Sequence, residues 1–94
     1  MEQRVTVKPL GPHTYSAEVV EGDLRRTIEV LVTDELIEEL QLFEPDEVRL
    51  VTESLDFLLE KEKAAGLADP LDLLDVRREY PDYYEEIRSR LDAV

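Results

Sequence analysis

Thr14-Tyr15-Ser16-Ala17-Glu18-Val19-Val20-Glu21-Gly22-Asp23-Leu24-Arg25-Arg26-Thr27-Ile28-Glu29-Val30-Leu31-Val32 is the stretch that decides the fold. Tyr15, Ala17 and Val19 alternate with Ser16 and Glu18, the period of two that sends successive side chains to opposite faces of a strand. Ile28, Val30 and Val32 repeat the pattern against Arg25, Thr27 and Glu29, so strands are predicted over 14–20 and 24–32. Glu21-Gly22-Asp23 supplies a tight hairpin connection, because glycine reaches positive φ without a Cβ clash. Only one face is apolar, as in an antiparallel sheet covered on one side.

Upstream, Arg4-Val5-Thr6-Val7-Lys8 reads as a third half-buried strand with Val5 and Val7 inward. Pro9-Leu10-Gly11-Pro12-His13 breaks that run and reads as a turn. Downstream, Thr33-Asp34-Glu35 offers an N-cap and first-turn acids for a short helix to about Gln41, striped by Leu36, Ile37 and Leu40, with Leu42-Phe43 plugging the corner. Pro45 suits the first position of a main helix, with Asp46 and Glu47 in its first turn. Val48, Val51, Leu55, Leu58 and Leu59 stripe that helix, Leu50 and Phe57 widen the stripe, and Gly66 is expected as a left-handed cap after Ala65. Asp69-Pro70 repeats the cap-and-proline device for a stretch through Leu71, Leu74 and Arg78. Pro81 forces a break at Tyr80, and Tyr84, Ile87 and Leu91 stripe a final helix. The expected architecture is α+β: a three-stranded antiparallel meander (residues 1–32) followed by three to four helices on one face (residues 33–94), in a single domain.

The chain has 94 residues, 43% of them apolar, which is ordinary globular usage and enough for one core. It has no cysteine, which excludes disulfides, thiolate metal sites and thiol nucleophiles. No leader-type apolar segment opens the sequence and no run approaches a membrane span, so a cytoplasmic location is expected. Eight arginines against three lysines, with no asparagine, fit either a thermophilic source or a GC-rich genome.

The net charge of −13 is unevenly spread. Residues 1–30 carry four basic and five acidic groups, residues 31–66 three and eleven, and residues 67–94 four and eight. The helical half therefore holds the negative field, which disfavours direct contact with nucleic acid or an anionic membrane.

No motif announces catalysis, a metal or a cofactor. His13 is the only histidine and falls in a turn with no acid in register, so a surface role is the plainer reading. Ser16, Ser54 and Ser89 lie on separate elements, with no motif pairing them to His13. Asp34, Glu35, Glu38 and Glu39 share one helix, but neither a calcium-loop pattern nor Glu-x-x-His occurs, and a solvated face explains them. Asp69, Asp72 and Asp75 are likewise separated by apolar residues. Arg77, Arg78, Arg88 and Arg90 near Tyr80, Tyr83 and Tyr84 are expected to form ion pairs rather than a base-stacking platform.

Pro9-Leu10-Gly11-Pro12-His13-Thr14-Tyr15, the run Leu50 to Glu62, and Tyr80-Pro81-Asp82-Tyr83-Tyr84-Glu85-Glu86-Ile87 together resemble a group of short acidic bacterial proteins, frequent in actinobacteria, that carry no assigned function. The resemblance implies a bacterial, cytosolic, free-standing domain and transfers no catalytic residue.

The reading these features favour is a non-enzymatic interaction module. Leu50, Phe57, Glu38, Glu39 and Tyr83 are the candidate surface: the apolar residues to pack across a homodimer axis, the acids to meet a basic protein. The competing reading is a cation-dependent enzyme or ligand binder built on a carboxylate cluster.

Overall fold

The structure, a computed structural model, describes residues 3–42 and 46–92. Strands β1 (Gln3–Gly11), β2 (Thr14–Glu21) and β3 (Leu24–Leu31) form the antiparallel meander. Val5 pairs with Val19 and Val7 with Ala17, while Ala17 pairs onward with Ile28 and Tyr15 with Val30, so one continuous apolar face results. Ala17, Val19, Ile28 and Val30 are fully buried on it, whereas Val5 and Val7 are only half-buried. Gly22 at φ 60° provides the positive dihedral that a two-residue hairpin turn requires.

The meander continues past the expected end of its first strand. Pro9, Leu10 and Gly11 belong to β1, with an irregularity in register between Pro9 and Gly11, and the turn shrinks to Pro12 and His13. An edge strand tolerates Pro9 because one side of its backbone has no ladder partner. Leu10, at the irregularity, is 62% exposed.

The sheet is also not purely antiparallel. A fourth strand, β4 (Leu71–Asp72), pairs parallel to β3 through Val30–Leu71 and Leu31–Asp72, making a mixed four-stranded sheet in the order β1-β2-β3-β4. Asp69 therefore caps no helix; its Oδ1 accepts the Glu29 backbone N–H at 3.1 Å.

Four helices complete the α+β fold: α1 (Asp34–Glu39), α2 (Glu47–Lys61), α3 (Leu73–Glu79) and α4 (Tyr83–Asp92). Thr33, Asp46 and Asp72 are the N-caps of the first three, their side chains accepting from Leu36, Arg49 and Leu74 backbone N–H groups. Asp46 is thus a cap rather than a first-turn residue; Phe43 and Pro45 lie outside the described residues. Helix α2 stops at Lys61, four residues short of the expected end, and Ala64–Gly66 forms a separate 3-10 turn. Gly66 is not left-handed, because Arg26 and Glu21 of the sheet satisfy the turn instead: the Arg26 guanidinium donates to Ala64 O (2.9 Å) and Leu67 O (2.8 Å), and Ala64 N–H donates to Glu21 Oε1 (3.1 Å).

One hydrophobic cluster fills the space between sheet and helices. Helix α2 packs against β1 on one side and α4 on the other, which is why it needs more than one apolar stripe. Phe57 meets Tyr83 and Tyr80 edge-to-face, with ring centroids 5.5 and 5.8 Å apart. Val48, expected in the stripe, is instead 37% exposed in the first turn. No helix among the described residues is long and apolar enough to cross a membrane.

Candidate functional site

The five candidate surface residues divide. Leu50, Phe57 and Tyr83 are fully buried, so they cannot meet a partner across a homodimer axis: the excess apolar area of α2 is consumed by α4 and β1. Each such side chain contributes about 1.5–3 kcal/mol by burial, and turning it outward would forfeit that. Glu38 is exposed and Glu39 half-exposed, with Glu39 Oε1 3.9 Å from Arg77 Nε. Only the acidic part of the candidate surface therefore faces water.

Contrary to its sequence setting, His13 has two acids beside it. Its Nδ1 lies 3.0 and 3.1 Å from the two Glu47 oxygens and its Nε2 3.5 Å from Asp34 Oδ1, joining the β1–β2 turn to the first residues of α1 and α2. Tyr15 donates its hydroxyl to the same Glu47 at 2.8 Å, and burial, reinforced by that carboxylate, pushes the Tyr15 pKa up to about 12. These contacts hold the β1–β2 turn and Tyr15 of β2 against the starts of α1 and α2. Among the described residues no group of three or more His, Asp or Glu side chains gathers as metal ligands.

The basic clusters near the C-terminus are committed internally. Arg78 pairs with Glu35 at 3.7 Å, Arg88 donates to Leu40 O at 2.7 Å, and Arg90 donates to Glu60 Oε2 at 2.6 Å. Arg77 and Arg88 both lie over the Tyr84 ring, at 5.6 Å from its centroid.

Two surface features remain. On α2, Glu53, Asp56 and Glu60 follow one another at helical spacing, so they share a ridge. Partial burial, then Glu53 and Glu60, raise the Asp56 pKa above the usual aspartate value against the opposing pull of Arg90. Carboxylates on this ridge thus outnumber the cations near them.

The outer face of the sheet has the opposite character. Arg4, Thr6 and Lys8 of β1 point away from the helices, beside Val20, Glu18 and Ser16 of β2 and then Arg25, Thr27 and Glu29 of β3. Thr6, Lys8, Ser16, Glu18 and Thr27 line an open polar groove of about 240 Å3. Arg4, Lys8 and Arg25 are exposed, and none of their side chains makes a hydrogen bond or ion pair among the described residues. Strand alternation already assigns Arg4, Thr6 and Lys8 to one face, and the expected meander already places this strand at an edge of the sheet.

No protein-family model, no curated protein and no solved structure matches the chain.

Proposed function

We propose that this protein is a non-enzymatic interaction module of a bacterial cytosol, and that the Glu53–Asp56–Glu60 ridge of α2 docks a basic protein. The observation that carries the reading is geometric: Glu53, Asp56 and Glu60 share one face of α2 at three- and four-residue spacing, with Glu60 exposed and the other two half-buried, and burial and the two acidic neighbours push the Asp56 carboxyl up. A site where carboxylates already resist ionisation gains most from an incoming lysine or arginine, because that cation relieves repulsion as well as forming its own pair. The neighbouring Arg90 makes its ion pairs with Glu60 and Glu86, at 2.6 and 3.8 Å, and acts on Glu53 and Asp56 only through its longer-range field.

The test uses a fluorescent lysine- and arginine-rich peptide titrated with the protein. Affinity should fall several-fold between 50 and 200 mM salt, and a Glu53→Gln/Asp56→Asn double variant should weaken it at least fivefold. A control with Asp75→Asn/Glu79→Gln on α3 removes the same charge elsewhere. If the control weakens binding as much as the ridge variant, the interaction is diffuse attraction to an acidic protein and the ridge is no docking site.

A further inference from the structure

A different surface carries a second recognition function, independent of the acidic ridge. Strand β1 is the edge of the sheet, nine residues long, and its outer backbone groups have no strand partner among the described residues. Such an edge is a template for another extended chain. Pro9 lacks an N–H and the register is irregular between Pro9 and Gly11, which confines the usable edge to Gln3–Lys8.

Chemistry along that segment selects the occupant. Arg4 and Lys8 stand four residues apart on the outer face, about 13 Å along the strand, and neither has an ion-pair partner among the described residues. Between them on the inner face, Val5 and Val7 are only half-buried, while their β2 partners Val19 and Ala17 are fully buried. The core is therefore open along β1, and the exposed Val48 belongs to α2, the helix packed on that strand. An added strand would close it.

The geometry points to strand addition at β1 by an acidic extended peptide of pattern acid–apolar–any–apolar–acid, its carboxylates beside Arg4 and Lys8 and its apolar residues extending the Val5–Val7 row. A second copy of this chain fits less well. The antiparallel register that sets Val5 of one copy against Val7 of the other also sets Arg4 against Lys8 twice, and like charges directly opposite are destabilising. The net charge of −13 does not forbid an anionic peptide here. The molecule is at least 26 Å across in every direction, while a Debye length at physiological salt is about 8 Å, so carboxylates on its far side are screened. Among the described residues Glu18, opposite Thr6 on β2, is the one carboxylate of this face paired with β1.

The test is a labelled peptide with the core Glu-Val-Thr-Val-Glu, which reads the same in both directions and so does not depend on strand orientation. It should bind at least tenfold more tightly than the Lys-Val-Thr-Val-Lys analogue, and slow amide exchange at alternate residues of β1. Arg4→Glu/Lys8→Glu should reverse that preference, and Glu18→Gln should strengthen binding of the acidic peptide. The milder Arg4→Gln/Lys8→Gln variant should abolish the preference even where charge reversal perturbs folding. N-methylation of all four backbone amides from the first valine to the last glutamate should remove binding in either strand orientation. Equal binding of the N-methylated peptide reduces the interaction to charge attraction and overturns the proposal. So does an acidic preference that survives charge reversal, or protection of the same amides by self-association without peptide.

Discussion

The hydroxyl oxygens of Ser54 and Tyr83 lie 2.7 Å apart in the core, with both residues fully buried between α2 and α4. Ser54 spends its own proton on the Leu50 carbonyl, also at 2.7 Å, so Tyr83 is the donor of the pair. The two deletions are therefore unequal. Ser54→Ala strands a buried phenol and should cost about 1–3 kcal/mol, whereas Tyr83→Phe leaves Ser54 bonded and should cost about 0.5–1.5 kcal/mol. The double variant should cost less than the sum, because no orphan then remains. Urea midpoints for the four proteins check this; strict additivity would mean the hydroxyls do not interact.

Arg26 ties the sheet to the turn that follows α2. One guanidinium nitrogen serves both Ala64 O and Leu67 O, and Ala64 N–H returns a bond to Glu21 on the neighbouring strand. Arg26→Met keeps the apolar stem but should lose about 1.5–3 kcal/mol, the range for hydrogen bonds to a charged group. Amide exchange at Gly66 and Leu67, whose N–H groups close the turn on Lys63 O and Ala64 O, should accelerate more than exchange in β2. Uniform acceleration across the chain would mean that Arg26 does not hold this turn locally.

The contrast between Ala17 and Arg26 marks how far the sequence was legible. Ala17 is assigned to the core by alternation alone, and the caps at Thr33 and Asp72 are local in sequence, although only the first was expected. The partners of Arg26 lie 38 and 41 residues further on, and Glu47 lies 34 residues from His13; no periodicity reports such distances. Strand β4 is two residues long, too short for any alternation to register. Leu50 and Phe57 were misassigned for a related reason. A helix covered on two sides and a helix with a docking face have the same composition, and only the packing of α4 separates them. Of the candidate surface, the acids were legible because a carboxylate seldom goes inside unpaired.

His13 holds φ at 57°, the left-handed region, at the second central position of the Pro12–His13 turn. A β-carbon there costs on the order of 1 kcal/mol, and the contacts to Glu47 and Asp34 are exposed enough to return only about 0.2–1 kcal/mol. His13→Ala keeps the strain and loses the contacts, so it should destabilise. His13→Gly loses the same contacts but relieves the strain, and should be more stable than the alanine variant by about 1 kcal/mol. Thermal melts of the three proteins at one pH check the order. An alanine variant equal to glycine would mean that the turn does not hold residue 13 in the left-handed region.

Asp56 supplies a pH test of the acidic ridge. Its folded-state pKa lies above the reference 3.8, raised first by burial and then by Glu53 and Glu60, so the folded chain binds more proton than the unfolded chain just above that pH. Stability assigned to this group is therefore present below pH 3.8 and is lost as pH rises through the folded pKa. Asp56→Asn removes the ionisation while keeping shape and helix propensity, and should raise Tm at pH 7. For a half-exposed residue in a domain of this size the gain is about 2–4 °C at most, the scale set by ~0.5 kcal/mol. The advantage should shrink when both proteins are compared in urea at about pH 3, below the reference 3.8, where the wild-type carboxyl is protonated in both the folded and the unfolded chain. A variant less stable than wild type at pH 7, or a gain of the same size at both pH values, would remove the charge crowding on which the docking ridge rests.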